Sequence, residues 1–304
     1  MTDGIATVYY DRASGRLCQE KVLGDKWLRL AYCSAWRGVL KWPLFCCGLF
    51  SRLMGWYLDR RCSVRRIGPT IRELDIDMGE VEVPPGGYSS FNDFFSRRLR
   101  PGSRPLPENE DALLCPADCR LTVYPLLQGD AVVPVKGASY TVHELIGAAA
   151  GDFAGGALMV CRLCPADYHR FHVIDDSVVL SAWRIRGKYH SVNPLALASG
   201  LRVFTENLRE VVILESRHVR RYAFVPVGAF GVASIHNFLD APGRHFARGE
   251  EAGYFTFGGS TVIVAFPAGT VAFDADIVEN SAKGVETLVK ANSAIGSYAV
   301  RSRN

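Results

Sequence analysis

Phe257-Gly258-Gly259-Ser260-Thr261 runs without a break into Val262-Ile263-Val264-Ala265-Phe266, a flexible glycine pair leading through two hydroxyl residues into a strongly strand-like run. Glycine opens backbone conformations closed to other residues, so the Ser260 hydroxyl can approach the carbonyl carbon of Gly259, its own preceding peptide, while the strand holds the far side rigid. That is the layout of a self-cleaving serine. A plain glycine turn before a core strand has the same composition, so the surrounding chain has to decide.

Outward from this stretch the body reads as strand. Strands are predicted over Ala131–Val135, Ala157–Leu163, Val178–Ile185, Val211–Leu214, Tyr222–Val227, Tyr254–Phe257, Thr261–Phe266 and Val271–Phe273, between turns rich in Gly, Pro and Asp. No regular helices alternate with them, which disfavours a parallel doubly wound sheet. The expected class is α+β: a β-dominated catalytic domain, barrel- or sandwich-like, with N-terminal amphipathic helices. Within it Ser90 caps a helix carrying Phe91, Phe94, Phe95 and Leu99 on one face and stopped by Pro101. Thr141-x-x-Glu144 is a capping box, and Asn193-Pro194 starts another short helix.

The formal charge of +4 conceals an asymmetry: residues 1–72 carry 13 Lys/Arg against 5 Asp/Glu, the remainder 22 against 26. From Lys26 to Lys41, Leu28, Tyr32, Ala35, Trp36 and Val39 share one helical face and Lys26, Arg29, Arg37 and Lys41 the other. Leu44 to Leu58 is apolar nearly all round, but Arg52 interrupts it, and it falls short of the roughly 18–20 residues a bilayer span needs. Arg60, Arg61, Arg65 and Arg66 follow, as in a segment lying among anionic headgroups. A helical pair packed on the core with a solvated basic face is the alternative. No nucleic-acid motif appears, so no nucleic acid is expected. The polar opening with Asp3 and Asp11 lacks the apolar core of a signal peptide, which places the chain as a peripheral protein on the cytoplasmic face of the cell membrane. Glu73–Ser90, acidic and then turn-rich at Pro84-Pro85-Gly86-Gly87, reads as a linker. Residues 1–85 then form a basic amphipathic helical membrane-associating region and 86–304 the catalytic domain.

Nine cysteines without a secretory signal argue against a disulfide framework. Cys115-x3-Cys119 and Cys161-x2-Cys164 have spacings that suit zinc. Both pairs are interleaved with strand-like residues, however, and no metal is expected.

Attack by Ser260 on its own backbone needs a base, an orienting acid and oxyanion donors. Asp167-Tyr168-His169-Arg170-Phe171-His172 supplies two imidazoles, and Asp118 is a carboxylate in an otherwise uncharged turn. The same histidines suit a metal or a structural role, with Asp167 and Asp175 as further ligands. A serine hydrolase is a second reading, but Ser260 lacks the Gly-x-Ser-x-Gly elbow.

Ordered blocks over residues 88–290 resemble the pyruvoyl-dependent phosphatidylserine decarboxylase proenzymes. They are Phe91-Asn92-Asp93-Phe94-Phe95-Ser96-Arg97-Arg98-Leu99-Arg100 with Arg104-Pro105, Pro116-Ala117-Asp118, Lys136-Gly137, Asp167 to His172, Ser191-Val192-Asn193-Pro194, Asn207 with Arg209, Val227-Gly228-Ala229, and Gly249 to Phe255 leading into Gly258-Gly259-Ser260-Thr261. The resemblance implies that Asp118, His172 and Ser260 form an autocatalytic triad that cleaves between Gly259 and Ser260. The products are a β chain (1–259) and an α chain (260–304) headed by a pyruvoyl group made from Ser260. It further implies that this group forms a Schiff base with phosphatidylserine, that His169 protonates the carbanion left by carbon dioxide, and that phosphatidylethanolamine is released. An anionic membrane surface and a homodimer are implied as well. Two positions depart from the family pattern: Cys119 where glycine is usual after the Asp, and Ile174 where proline is frequent.

Overall fold

The computed structural model describes residues 8–21, 48–127, 133–135, 138–192, 197, 202–229, 235–258 and 260–299. The predicted helix Lys26–Lys41, the Lys136-Gly137 pair, the helix start at Asn193-Pro194, Gly259 and residues 300–304 lie outside the described residues.

The strand-like run after Ser260 is the inside of a ten-stranded sheet. Ser260–Phe266 pairs antiparallel with Arg220–Val227 on one side and Ala157–Leu163 on the other. All its residues are buried because successive side chains enter two different cores: Val262, Val264 and Phe266 one, Ile263 and Ala265 the other. With both faces covered, such a strand has no reason to alternate polar with apolar residues.

From edge to edge the sheet runs His245–Phe246, Ser177–Ile185, Arg209–Ser216, Arg220–Val227, Ser260–Phe266, Ala157–Leu163, Cys119–Tyr124, Glu286–Val289, Val8–Asp11 and Arg16–Gln19. Every pairing is antiparallel except that of Val8–Asp11 with Glu286–Val289. Two three-stranded sheets share the first core: Arg170–His172 with Glu251–Phe255 and Ile235–Asn237, and Val271–Phe273 with Ala294–Tyr298 and Ala112–Leu114. The short helices Val142–Ile146 and Val203–Glu206 pack into the second. The α+β reading holds, in a layered form. Thr141 makes both bonds of its capping box, accepting from the Glu144 amide at 3.1 Å while Glu144 accepts from the Thr141 amide at 2.9 Å.

Three readings are corrected. The helix capped by Ser90 ends at Phe95, before Leu99. Ser96 Oγ turns back to donate to the Asn92 carbonyl at 2.9 Å, and Arg98–Leu99 leaves the helix to pair with Val81–Glu82. That pairing also shows that Glu73–Ser90 is no free linker, and Leu74 and Ile76 join Leu58, Ile67, Phe91, Phe94 and Phe95 in a third apolar cluster. Nor is the N-terminal region helical throughout. Val8–Asp11 and Arg16–Gln19 form a hairpin on the edge of the large sheet, fastened by Arg12 to Asp274 and Asp276.

Candidate active site

Ser260 opens the central strand and is fully buried, and its Oγ has no hydrogen-bond partner among the described residues. Gly258, two residues earlier, has φ +142°, a conformation that side-chain-bearing residues avoid. Phe257 packs edge-on against Phe91 and Phe95 with centroids 5.2 Å away in each case, and its amide donates to Asn92 Oδ1 at 3.0 Å. The helix Phe91–Phe95 therefore clamps the segment that leads into Ser260.

The same Phe95 ring lies 3.9 Å from the His169 ring. His169 Nδ1 is 2.8 Å from the Asp167 carbonyl oxygen. A carbonyl can only accept, so Nδ1 carries the hydrogen and Nε2 presents a lone pair, buried and without a partner. Burial first, and then the charge of Arg97, push its pKa down to about 3. His172 is fixed the same way: Nδ1 donates to the Gly249 carbonyl at 3.0 Å, and Nε2 accepts from the Tyr168 hydroxyl at 3.2 Å. Burial holds its pKa low as well. Both imidazoles are thus neutral near pH 7, with Nε2 the basic atom.

Among the described residues no hydrogen bond joins Asp118 to His172. The Asp118 carboxylate accepts from Arg104 Nε and Nη2 at 2.8 and 2.6 Å and from the Ala291 amide at 2.8 Å. The connection runs through the backbone, where the His172 amide donates to the Pro116 carbonyl at 2.7 Å. The turn bearing Asp118 and the strand bearing His172 are adjacent, and among the described residues Ser260 Oγ bonds to neither histidine. Arg104, Tyr168 and Gly249 hold this machinery. All three stood in the family-like blocks without a role, because a motif orders residues along the chain and says nothing of which side chains face one another.

Cysteines separated in sequence meet in space. The sulfurs of Cys115, Cys119 and Cys161 lie within 4.8 Å of one another, all buried. Cys164 is instead beside Arg162 and Glu20. Cys119 therefore packs its side chain into the core, and its backbone is not in the left-handed region that would demand glycine. Ile174 fits equally well: it is fully buried, and its carbonyl accepts from the Tyr298 hydroxyl at 2.8 Å.

The low pKa of His169 has a stability consequence. Above the unfolded value of about 6.5 it costs nothing. Below that, the unfolded chain binds a proton that the fold refuses until about pH 3, and stability falls by about 1.4 kcal/mol per pH unit, about 2 kcal/mol by pH 5. His169→Gln is expected to flatten this slope, read from urea midpoints at pH 5 and pH 7.5. An equal loss in variant and wild type would show that His169 is not a buried neutral group.

Comparison with known proteins shows what the chain is similar to. The family model described as phosphatidylserine decarboxylase matches residues 91–297. A phosphatidylserine decarboxylase proenzyme of Desulfitobacterium hafniense is 40% identical over 290 residues, 95% of this chain and 97% of the relative. One from Clostridium botulinum is 38% identical over 290 residues, 95% of this chain and 98% of its own length. Proenzyme 3 of Schizosaccharomyces pombe is 42% identical over 246 residues, covering 80% of this chain but only 25% of that longer protein.

Proposed function

The chain belongs to the phosphatidylserine decarboxylase family, and we propose that it is a carboxy-lyase converting phosphatidylserine to phosphatidylethanolamine and carbon dioxide, with an active form made by its own Ser260. The observation that carries this reading is the Ser260 hydroxyl, buried without a partner behind a positive-φ glycine. An unsatisfied buried hydroxyl costs about 1–3 kcal/mol, and such a cost is retained where chemistry needs it.

His172 Nε2 leaves the Tyr168 hydroxyl and takes the Ser260 proton. The freed oxygen attacks the Gly259 carbonyl carbon, and the peptide N–C bond gives way to an ester. Loss of the α-proton of residue 260 breaks its Cβ–O bond and releases Gly259 as a carboxylate. The dehydroalanine left behind becomes an imine, and water replaces its nitrogen as ammonia, leaving pyruvoyl at the head of 260–304. Asp118 acts by pinning the Pro116 turn through Arg104 and Ala291, which sets the His172 backbone. Full burial of Ser260 at the start of the central strand suits a small carbonyl group that must be kept from water. The pyruvoyl carbonyl would take up the substrate amine and accept the electron pair left as carbon dioxide departs. In this reading His169, once protonated at Nε2, hands a proton to the substrate α-carbon.

In this reading the lipid surface lies within residues 1–85 and the chemistry within 86–304. Helix Gly48–Leu58 exposes Leu53 and Trp56, with Arg60 stacked 4.4 Å over the Trp56 ring, an apolar patch rimmed by positive charge that suits anionic headgroups on the cytoplasmic face. Among the described residues no helix is long and apolar enough to cross a membrane. Intact mass under denaturing conditions tests the maturation. The expected result is two chains broken between Gly259 and Ser260, the smaller lighter by about 17 mass units, one ammonia, than the same chain headed by serine. A chain that stays whole in the presence of lipid vesicles would overturn it.

A further inference from the structure

Arg97 is a buried cation with no ion-pair partner among the described residues. It is 4% exposed, directly after the turn that ends helix Phe91–Phe95. Nη2 donates to the Ala166 carbonyl at 2.7 Å and the Asp167 carbonyl at 3.0 Å, whereas Nε and Nη1 are buried with no acceptor. The nearby carboxylates are engaged elsewhere: Asp167 with Arg120 at 2.9 Å and Asp118 with Arg104 at 2.6 Å. The Phe94 ring, 5.2 Å from Cζ, offers a cation–π contact, worth about 2 kcal/mol when desolvated. Burying an unpaired ion costs several kcal/mol, so the ring does not offset it.

Its surroundings indicate what pairs with it. The Asp167 carbonyl that accepts from Arg97 also accepts from His169 Nδ1, so a single oxygen holds the guanidinium beside the imidazole. Arg97 also lines a cavity of about 220 Å³ whose other charged and polar lining groups are Glu82, Tyr88, Asp93, Ser96, Arg98 and Arg170. That is too small for acyl chains and suits a headgroup. Arg170 is already held by Glu251 and the Ser96 carbonyl, which leaves Arg97 as the buried donor with open N–H groups.

We propose that Arg97 binds the phosphodiester of the lipid substrate through Nε and Nη1, with the cavity as the way in for the headgroup. The inference rests on the decarboxylase reading and adds to it the residue that recognises a phospholipid. Of the two anions on phosphatidylserine, the chemistry selects the phosphodiester. The carboxylate loses its charge as carbon dioxide leaves, so a guanidinium fixed on it would stabilise the starting state more than the transition state and slow the reaction. The phosphodiester keeps its charge from binding to release. Neutralising Arg97 would also remove one of the two causes that hold the His169 pKa down, easing the protonation this imidazole needs before it can act as an acid.

The experiment compares wild type with Arg97→Met and Arg97→Lys in mixed micelles, each first checked by mass for complete self-cleavage. Arg97→Met is expected to raise KM about 10- to 100-fold with a much smaller change in kcat, and Lys to recover part of the loss because it keeps the charge without the planar donors. Phosphatidylethanolamine keeps the phosphodiester and lacks the carboxylate, so its inhibition constant should rise by the same factor. A raised KM with unchanged product inhibition would overturn the proposal in favour of the carboxylate, and no change in either would overturn it outright. Should Arg97→Met fail to fold or cleave, the wild type still decides. sn-Glycero-3-phosphoethanolamine should raise its melting temperature more than ethanolamine does, and an equal or absent shift sinks the proposal. Cleaved wild type that binds glycerophosphoethanolamine but leaves phosphatidylserine untouched would instead count against the decarboxylase reading.

Discussion

Ser260→Ala is expected to remain a single 33.4 kDa chain and to lose phosphatidylserine decarboxylation by at least about four orders of magnitude. The substitution removes one oxygen, and that oxygen has no hydrogen bond to lose. Stability should therefore hold or rise slightly, since a buried unsatisfied hydroxyl is itself a cost. Unchanged or higher melting, combined with absent cleavage, separates chemical loss from misfolding. Wild type, by contrast, should show two chains on a denaturing gel and one particle in native size-exclusion. Residues 260–304 carry the central strand, Glu286 sealed against Arg162 at 2.6 Å, the Ala291 amide on Asp118 and the Tyr298 hydroxyl on Ile174. Losing the small chain would mean dismantling the sheet. Ser260→Ala protein cut at the wild-type position would sink the self-cleavage mechanism and point to an external protease.

How much of this was legible beforehand depends on whether the signal was local. Thr141 and Ser90 announced their helix starts because a cap is settled within four residues. Ala157–Leu163 and Val271–Phe273 have the predicted bounds, and the other predicted strands that lie wholly within the described residues differ only at their ends. Cys119–Tyr124 escaped notice because Arg120 and Thr122 break its apolar run, and only the fold reveals that Arg120 is paired with Asp167. Helix Ala275–Ala282 was missed as well. Its N-cap Asp274 makes no capping hydrogen bond, and it binds Arg12 from the far end of the chain. The site shows the same division. Ser260, His169 and His172 could be named from type and spacing, but the partners of the two imidazoles could not. The carbonyl groups of Asp167 and Gly249 leave no trace in sequence, and Arg97 differs from its neighbour Arg98 only in being buried.

The two histidines should separate maturation from turnover. His169→Gln is expected to cleave fully and yet turn over phosphatidylserine about 10²–10⁴ times more slowly, the usual range for losing a general acid. His172→Gln is expected to stay one chain and, lacking the reactive carbonyl, to show no turnover. The assignment is the one the family resemblance implies, and the surroundings of each ring fit it. His172 sits on the strand beside the Asp118 turn, and the Tyr168 hydroxyl holds its Nε2 until it is needed. His169 shares a carbonyl with Arg97, where the substrate headgroup would arrive. One observation favours the opposite arrangement: in the uncleaved chain it is His169, not His172, whose Nε2 is open. Intact mass and turnover, measured on both variants, decide between them. Uncleaved His169→Gln alongside cleaved but slow His172→Gln would exchange the two roles. Gln matches the polarity of neutral imidazole but cannot take up a proton at working pH, so whichever step fails identifies the ring that moves the proton.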